Sequence, residues 1–481
     1  MSMTQPLSLP RRSPDKAKIK ADPNAMTTAI EHNPYLEDAS GFRGWADAIE
    51  VPHDEAQLVE IVRRANRSAT PLTIAGAGSG LTGGRVPQGG CLLSMERFRR
   101  LEIAPGRAWV GAAITLLELR EAAAKTGQFY APDPTEIGAS IGGTIATNAS
   151  GSRSFRYGST RRHILALRVV HADGTLREYR RGDAIDFPVE TVPPPSTTKS
   201  AAGYPLRPGM DWIDLLCGSE GTLAITLEAE VSLLPIPAEL FTGVIFFPSD
   251  EAALDAVDAW RPVSGLRMLE YLDRGSLHIL HERYPEFPKE ADAALLLEAE
   301  GAIDLDAWLE RLDRAKALTE QSWFATSAAD RERFRRLRHA LAEVVNATVH
   351  GNGFMKMGTD YAVPLDRNRE MLAFYRQRLD HELPGQYVMY GHIGDAHVHV
   401  NMLPSTQQQA DTASALLNEF AAHAIALGGA VSGEHGLGKR KAHFLALQYS
   451  PQQINAMIEV KQRLDPKWLL GRGNLFAPPS A

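Results

Sequence analysis

The spacing of apolar positions divides the chain into helices and strands before any residue chemistry is considered. At 54–66, Leu58, Val59, Ile61, Val62 and Ala65 recur at helical spacing behind Asp54, which predicts a helix. Residues 71–75 follow as a short buried strand that opens onto glycine. A second helix is expected at 115–126, started by a Thr-x-x-Glu capping box (Thr115, Glu118) and stopped by Gly127. Residues 230–234 read as a strand. Past the proline-flanked break at 235–237, residues 241–247, 266–272 and 293–298 read as strands, with Ser249 capping a helix at 251–260. Elements at this spacing suit an antiparallel sheet with helices on one side. A basic helix is expected at 331–343, its arginines mostly solvated. Another helix, at 411–427, buries Leu416, Leu417, Phe420, Ala424 and Leu427 and ends on Gly428, with His423 incidental. Residues 386–390 are extended in character. Residues 397–402 alternate polar and apolar, so His397, His399 and Asn401 share one strand face.

Composition bounds what such elements can do. A chain of 481 residues with a 44% hydrophobic share can bury large cores and is long enough for two or three domains. Its net charge of -7, without a dense Lys/Arg block, argues against nucleic acid or an anionic membrane as the main partner. Cys91 and Cys217 lie far apart in sequence, which excludes a disulfide scaffold or an iron–sulfur cluster held by this chain alone. Any electrons handled here must leave through something else. Arg11 and Arg12 precede a polar stretch rather than an apolar one, so residues 1–30 are expected to form a flexible leader. No run of about 18 apolar residues occurs, so no membrane span is expected and a cytoplasmic address is the default.

Two kinds of motif point to chemistry. The first is glycine-rich. Residues 76–84 (Gly-Ala-Gly-Ser-Gly-Leu-Thr-Gly-Gly) offer successive unobstructed backbone N–H groups, the composition of an anion-binding nest, although they match neither the GxGxxG nor the GxxxxGK[ST] pattern. Small and hydroxylated runs recur at 132–135 with 141–152, ending in Arg153, Arg156 and Tyr157, and again at 218–225. The second motif is Gly-His-Ile-Gly-Asp-Ala-His-Val-His-Val-Asn at 391–401, completed by Gly-Glu-His-Gly at 433–436. His392, His397 and His399 with one carboxylate supply the donors a divalent transition metal prefers. Isolated His-x-His pairs are usually hydrogen-bonded strand residues, but bare backbone beside the polar cluster suggests close approach of a ligand.

The three glycine clusters, in this order and separation, resemble the FAD-binding domain of the vanillyl-alcohol oxidase and para-cresol methylhydroxylase flavoprotein superfamily. The histidine motif with the later Gly-Glu-His-Gly resembles its D-2-hydroxy-acid dehydrogenase branch, which includes D-lactate, D-2-hydroxyglutarate and glycolate enzymes. The resemblance runs from about Tyr35 to Phe476. It implies an α+β fold: a two-subdomain FAD-binding domain at 31–235, an inserted antiparallel-sheet-plus-helices substrate (cap) domain with the metal site at 236–465, and a C-terminal strip at 466–481 closing on the FAD domain.

The resemblance further implies flavin-dependent oxidation of a D-2-hydroxy acid to the 2-oxo acid. FAD would be held by Gly76, Ala77, Gly78, Ser79, Gly80, Leu81, Thr82, Pro132, Asp133, Thr135, Gly142, Gly143, Thr147, Asn148, Gly151, Ser152, Tyr157, Gly158, Glu220, Gly221 and Ile225. The glycine loop contains no histidine, so the flavin is expected to be non-covalent. His392, His399 and Glu434 would hold a divalent metal, Zn first, with Mn or Fe as alternatives, and His435 would be the general base. Arg338 would hold the substrate carboxylate, and Lys356 would be a second basic contact although its spacing to Asp360 departs from the family's Lys-x-Asp. His397 stands where the family more often has asparagine, and reads as a further ligand, a partner of a ligand, or a substrate contact. The stretch at 199–204 resembles one the family places near the flavin. An external acceptor (quinone, cytochrome or electron-transfer flavoprotein) would reoxidise the flavin, and a homodimer is compatible. The alternatives are an FAD subunit of a multi-component glycolate oxidase and a non-redox flavin-dependent alkyl transferase, which uses adjacent histidines not found here.

Overall fold

A computed structural model describes residues 34–478; the leader expected at 1–30 lies outside the described residues. The first helix spans Glu55–Ser68, with the Asp54 side chain accepting from the Gln57 N–H, and leads into the strand Leu72–Ala75. That strand pairs in parallel with Cys91–Ser94, which also pairs with Ala48–Glu50, giving a small three-stranded sheet. The capping box at Thr115 and Glu118 is formed, on a helix spanning Leu116–Ala124. A five-stranded antiparallel sheet follows, in the order Leu101–Ala104, Arg107–Gly111, Ile225–Ser232, Ile164–Val170, Leu176–Arg180. The small, hydroxylated run after Ser140 forms a short helix, Ile141–Thr147, that periodicity does not reveal because it has too few large apolar residues to mark a stripe.

The largest sheet is antiparallel throughout and has seven strands, in the order Trp323–Phe324, Leu240–Phe247, Ala293–Glu300, Leu266–Asp273, Tyr387–His392, His397–Met402, Met357–Gly358. Helices cover both of its faces, where one covered face was expected. Ile245, Phe247, Leu295 and Leu297 face Val257 and Trp260 of the helix Asp250–Trp260. Val244, Phe246 and Leu296 face Phe334, Leu337 and Leu341 of the helix Ala328–Gly351. The central strands are runs of buried residues rather than alternating ones, and such strands need cover on both sides.

The chain then returns to the first sheet. The Leu72 N–H donates to the Leu469 carbonyl at 2.7 Å, and the Gly471 N–H donates to the Leu72 carbonyl at 3.0 Å. The Asn474 amide donates to the carbonyls of Gly84 and Glu220, both at 3.0 Å. The last residues thereby fasten two of the three glycine clusters to each other.

Candidate active site

The strands Tyr387–His392 and His397–Met402 form a hairpin whose register sets His392 opposite His397 and Tyr390 opposite His399. With a period of two, Tyr390, His392, His397, His399 and Asn401 share a face, as the alternation at 397–402 predicted. The neighbouring strand pairs Leu272 with Tyr390, which brings Glu270, two residues further along, beside His392. On the other edge Gly358 pairs with Asn401, so Thr359 and Asp360 arrive next to His399 and His397. Two glycines permit the crowding. Gly391 has φ 126°, and a Cβ there would sit 2.9 Å from the His399 ring. A Cβ on Gly433 would sit 2.6 Å from the His397 ring.

Hydrogen bonds determine how each imidazole presents itself. His392 Nδ1 lies 2.7 Å from a Glu270 oxygen and His392 Nε2 lies 2.9 Å from Glu434 Oε1. His399 Nδ1 donates to the Thr359 carbonyl at 2.9 Å, leaving Nε2 directed at Glu434 Oε1, 3.4 Å away. Holding the far nitrogen of a histidine with a carboxylate or carbonyl is how proteins orient an imidazole toward a metal. Burial opposes charge on His392, but Glu270 and Glu434 outweigh it and raise this imidazole to about 9, so the place between Glu270 and Glu434 favours a cation.

His397 is 0% exposed; its Nε2 lies 3.1 Å from Asp360 Oδ1. Its Nδ1 has no hydrogen-bond partner among the described residues. Burial and the nearby His399 lower it to about 4, so its ring is neutral and that nitrogen carries a bare lone pair. Donor atoms of His392, His397, His399 and Glu434 all lie within 4.8 Å of one another. Three imidazoles and one carboxylate, with an orphaned buried nitrogen among them, fit a divalent ion of the zinc, manganese or iron type, which would take the place of the proton on His392.

Asp360 organises the loop at 433–436. Its carboxylate accepts from the Ser432 hydroxyl at 2.5 Å and from the His435 backbone N–H at 2.9 Å, and its Oδ1 faces His435 Nδ1 at 3.5 Å. Burial, only partly offset by Asp360, lowers the His435 imidazole to about 3, which keeps its ring neutral and makes it a weaker base than a free imidazole.

A cavity of about 1020 Å³ adjoins this cluster, comparable with the upper end of the roughly 300–1,000 Å³ range of ligand sites. The glycine loop at 76–82 lines it along its whole length, together with Thr135, Gly142, Gly143, Thr147, Glu220 and Gly221 from the other clusters. His399, Glu434, His435 and Lys356 line the same space. Such an extended wall of backbone and hydroxyls fits a flat, phosphate-bearing cofactor lying with one end at the histidines.

The remaining residues predicted to touch the cofactor lie behind that wall. The Pro132 carbonyl accepts from Arg120, Asn148 Oδ1 accepts from the Arg161 N–H, Gly151 N–H donates to Glu434, and the Ser152 hydroxyl donates to Asp133. The Tyr157 hydroxyl bonds Glu300, Gly158 ends a turn at φ 83°, and Ile225 is fully buried in its strand. Asp133 is buried among Arg120, Arg153 and Arg338.

Arg338 likewise stands behind the cavity. Its guanidinium binds Glu270 at 3.2 Å, Asp133 at 3.3 Å and the Thr135 hydroxyl at 3.1 Å, while Arg335, Arg336 and His339 of the same helix line the cavity. Glu270 in turn holds His392, so Arg338 reaches the cluster through that carboxylate. Arg338→Met should therefore cost about 3–5 kcal/mol of stability by leaving two buried carboxylates short of a cation, read by denaturant unfolding; a loss confined to KM would instead mark it as a substrate contact.

Lys356 and Lys441 line the cavity near one another, and Lys441 Nζ donates to the Gly358 carbonyl at 3.2 Å. Burial and the neighbouring Lys441 charge lower Lys356 to about 8. Sequence reasoning missed Glu270 and Lys441, single charged residues without a periodic or spaced signature, and met Asp360 only through its spacing to Lys356.

Comparison with known proteins agrees with this geometry. The pattern described as "FAD binding domain" matches residues 46–180, and that described as "FAD linked oxidases, C-terminal domain" matches residues 236–475. The chain is 30% identical over 447 residues to D-lactate dehydrogenase of Archaeoglobus fulgidus, covering 88% of this chain and 90% of that protein. It is 30% identical over 464 residues to glycolate oxidase subunit GlcD of Escherichia coli K12, covering 93% and 87%. It is 30% identical over 496 residues to D-2-hydroxyglutarate dehydrogenase of Xanthomonas citri, covering 98% of both. Among solved structures, an alkyldihydroxyacetonephosphate synthase superposes with a TM-score of 0.62 at 16% identity, covering 90% of this chain and 77% of that one, a likeness of fold. The chain thus belongs to the FAD-linked oxidases of the vanillyl-alcohol oxidase and para-cresol methylhydroxylase superfamily, and is an FAD-dependent oxidoreductase.

Proposed function

We propose that the chain oxidises a D-2-hydroxy acid, lactate-like or 2-hydroxyglutarate-like, to the 2-oxo acid. The supporting observation is the convergence of His399, Glu434 and His435 in the wall of the cavity that the glycine loop lines, with His392 directly behind them. In this reading residues 31–235 bind FAD, residues 236–465 supply the substrate and metal side, and residues 466–481 close on the first part. Bound FAD supplies the hydride acceptor. A divalent ion held by His392, His399 and Glu434, with His397 beside them, supplies polarisation of the substrate's oxygens.

The rest falls to the chain's own side chains. His435 Nε2 takes the hydroxyl proton while its Nδ1, facing Asp360, keeps the ring in the required tautomer. The α-hydrogen leaves as hydride, the carbinol becomes a carbonyl, and the proton passes from His435 to solvent. Lys356 and Lys441 attract the substrate's negative charge. An acceptor outside the chain then removes the two electrons.

The pH dependence follows from Lys356. Its charge is present below about 8 and lost as pH rises through that value, so kcat/KM should fall above it, by about tenfold per pH unit if the charge is essential. Lys356→Met should lower kcat/KM at neutral pH and flatten that limb; a limb unchanged in the variant would belong to another group.

The names of some relatives, "glycolate oxidase subunit", favour a second reading in which this chain is the FAD-bearing part of a larger oxidase. One experiment addresses both readings. The purified protein is mixed anaerobically with D- and L-lactate, D- and L-2-hydroxyglutarate, and glycolate while the flavin band is followed. Bleaching by one D acid, abolished by a chelator and restored by metal, is the expected result. A yellow protein that none of the acids bleaches would remove the proposed reaction from the isolated chain.

A further inference from the structure

A fully buried lysine stands behind the metal-ligand cluster, in a position that the reaction proposed above does not use. Lys199 is 2% exposed and does not line the cavity. Its ammonium donates to the Gly151 carbonyl at 3.0 Å and to Glu434 Oε2 at 3.3 Å, and lies 3.6 Å from Asp395 Oδ2. Burying an ammonium is expensive unless it is paired and hydrogen-bonded, and here each neighbour is an acceptor. Its backbone is fastened on both sides: the Thr198 hydroxyl donates to the Asp395 carbonyl at 3.2 Å, and the Ala201 N–H donates to the Ser432 carbonyl at 2.8 Å.

The two oxygens of Glu434 have separate surroundings. Oε2 receives the Ser150 hydroxyl at 2.9 Å, the Gly151 N–H at 2.8 Å and the Lys199 ammonium. Oε1 faces His392 Nε2 and His399 Nε2. A carboxylate whose outer oxygen is held by three donors offers only the inner one to a metal. If the side chain were free to swing and grip through both oxygens, it would occupy a coordination position that a catalytic site must leave open.

We propose that Lys199 is a positioning residue which, with Ser150 and Gly151, locks Glu434 as a one-oxygen ligand and ties the cofactor segment at 150–151 to the metal cluster. This rests on the reading of His392, His399 and Glu434 as metal ligands. Of the groups Lys199 touches, Glu434 alone belongs to the ligand set, so its contribution to metal binding should disappear once the Glu434 charge is gone.

The test is a double-mutant cycle read by metal affinity rather than turnover. FAD-loaded wild type, Lys199→Met, Glu434→Gln and the double variant are titrated with Zn²⁺ or Mn²⁺ against a competing chelator. The flavin absorbance reports that each keeps its cofactor. Lys199→Met should weaken metal binding about 10–100-fold, the usual cost of removing an outer partner of a ligand, and should add no further loss in the Glu434→Gln background. Unchanged affinity in Lys199→Met, or an equal further loss in the Gln background, would overturn the proposal. Failure of the wild type to bind either metal would overturn the ligand reading itself, before any variant is compared. Should Lys199→Met not fold, Ser150→Ala removes another donor to the same oxygen; it should also weaken binding, and only while Glu434 is present. Full affinity in Ser150→Ala would then count against the lock.

Discussion

His435→Ala should keep its FAD and its metal yet reduce the flavin about 100- to 10,000-fold more slowly than the wild type, the range that a positioned general base contributes. Retention is expected because the ring is about one-quarter exposed in the cavity wall and the bond that fixes the loop comes from its backbone N–H to Asp360, while His399, on which the ring stacks, is held separately by the Thr359 carbonyl. The fall in rate is expected because its Nε2, 4.0 Å from Glu434 Oε1, has no hydrogen-bond partner among the described residues and belongs to a ring that lines the cavity. Anaerobic stopped-flow of the preloaded variant with the acid that bleaches the wild type measures the step directly. A variant that bleaches at the wild-type rate would remove His435 from the proton transfer. Asp360→Asn would then be uninformative about that step, since Asp360 acts there through His435.

The second large effect is expected at Glu434. Glu434→Ala should lose bound metal and lose flavin reduction by more than the roughly 10–100-fold that follows removal of an outer partner, and added metal should not restore either. Stripping the wild type with a chelator gives the informative contrast, because there the carboxylate remains and added metal should return full activity. The variant has a further defect that chelation lacks. Without the carboxylate, the Gly151 N–H, the Ser150 hydroxyl and the Lys199 ammonium lose a shared acceptor, and a buried donor left unpaired costs about 1–3 kcal/mol. Metal analysis of the purified variant, beside its flavin content and its melting temperature, separates these consequences. Full metal occupancy in Glu434→Ala would leave the ligand set to the histidines alone.

The fold and the front of the site could be read from sequence because both rest on local regularities. The alternation at 397–402 placed His397, His399 and Asn401 on one face, and the hairpin register confirms it. The capping box at Thr115 and the helix after Asp54 formed where caps and periodicity indicated. What supports the site from behind follows no such rule. Glu270 reaches His392 through strand register, Asp360 through an edge pairing, and Lys199 from an irregular segment 235 positions before Glu434. Each is one charged residue whose meaning depends on which distant strand or loop lies beside it. Arg338 shows the same limit: its helix could be anticipated, but the direction of its guanidinium, toward Glu270 and Asp133, is a tertiary fact. The second covered face of the large sheet did leave a local signal, since residues 293–297 form a continuous apolar run rather than an alternating one, and such runs need cover on both sides.

The strip that returns to Leu72 and Asn474's bonds to Gly84 and Glu220 also bear on the order of assembly. Asn474 and Gly84 stand 390 positions apart, so the glycine loop gains this restraint only when nearly the whole chain has emerged from the ribosome. Contacts of such separation form late and slowly, because the entropy of closing the loop must be met before any of them forms. Until then the nascent protein presents a cofactor cavity with an unfastened rim. The rim of the cofactor cavity is thus among the last parts of the fold to be fastened.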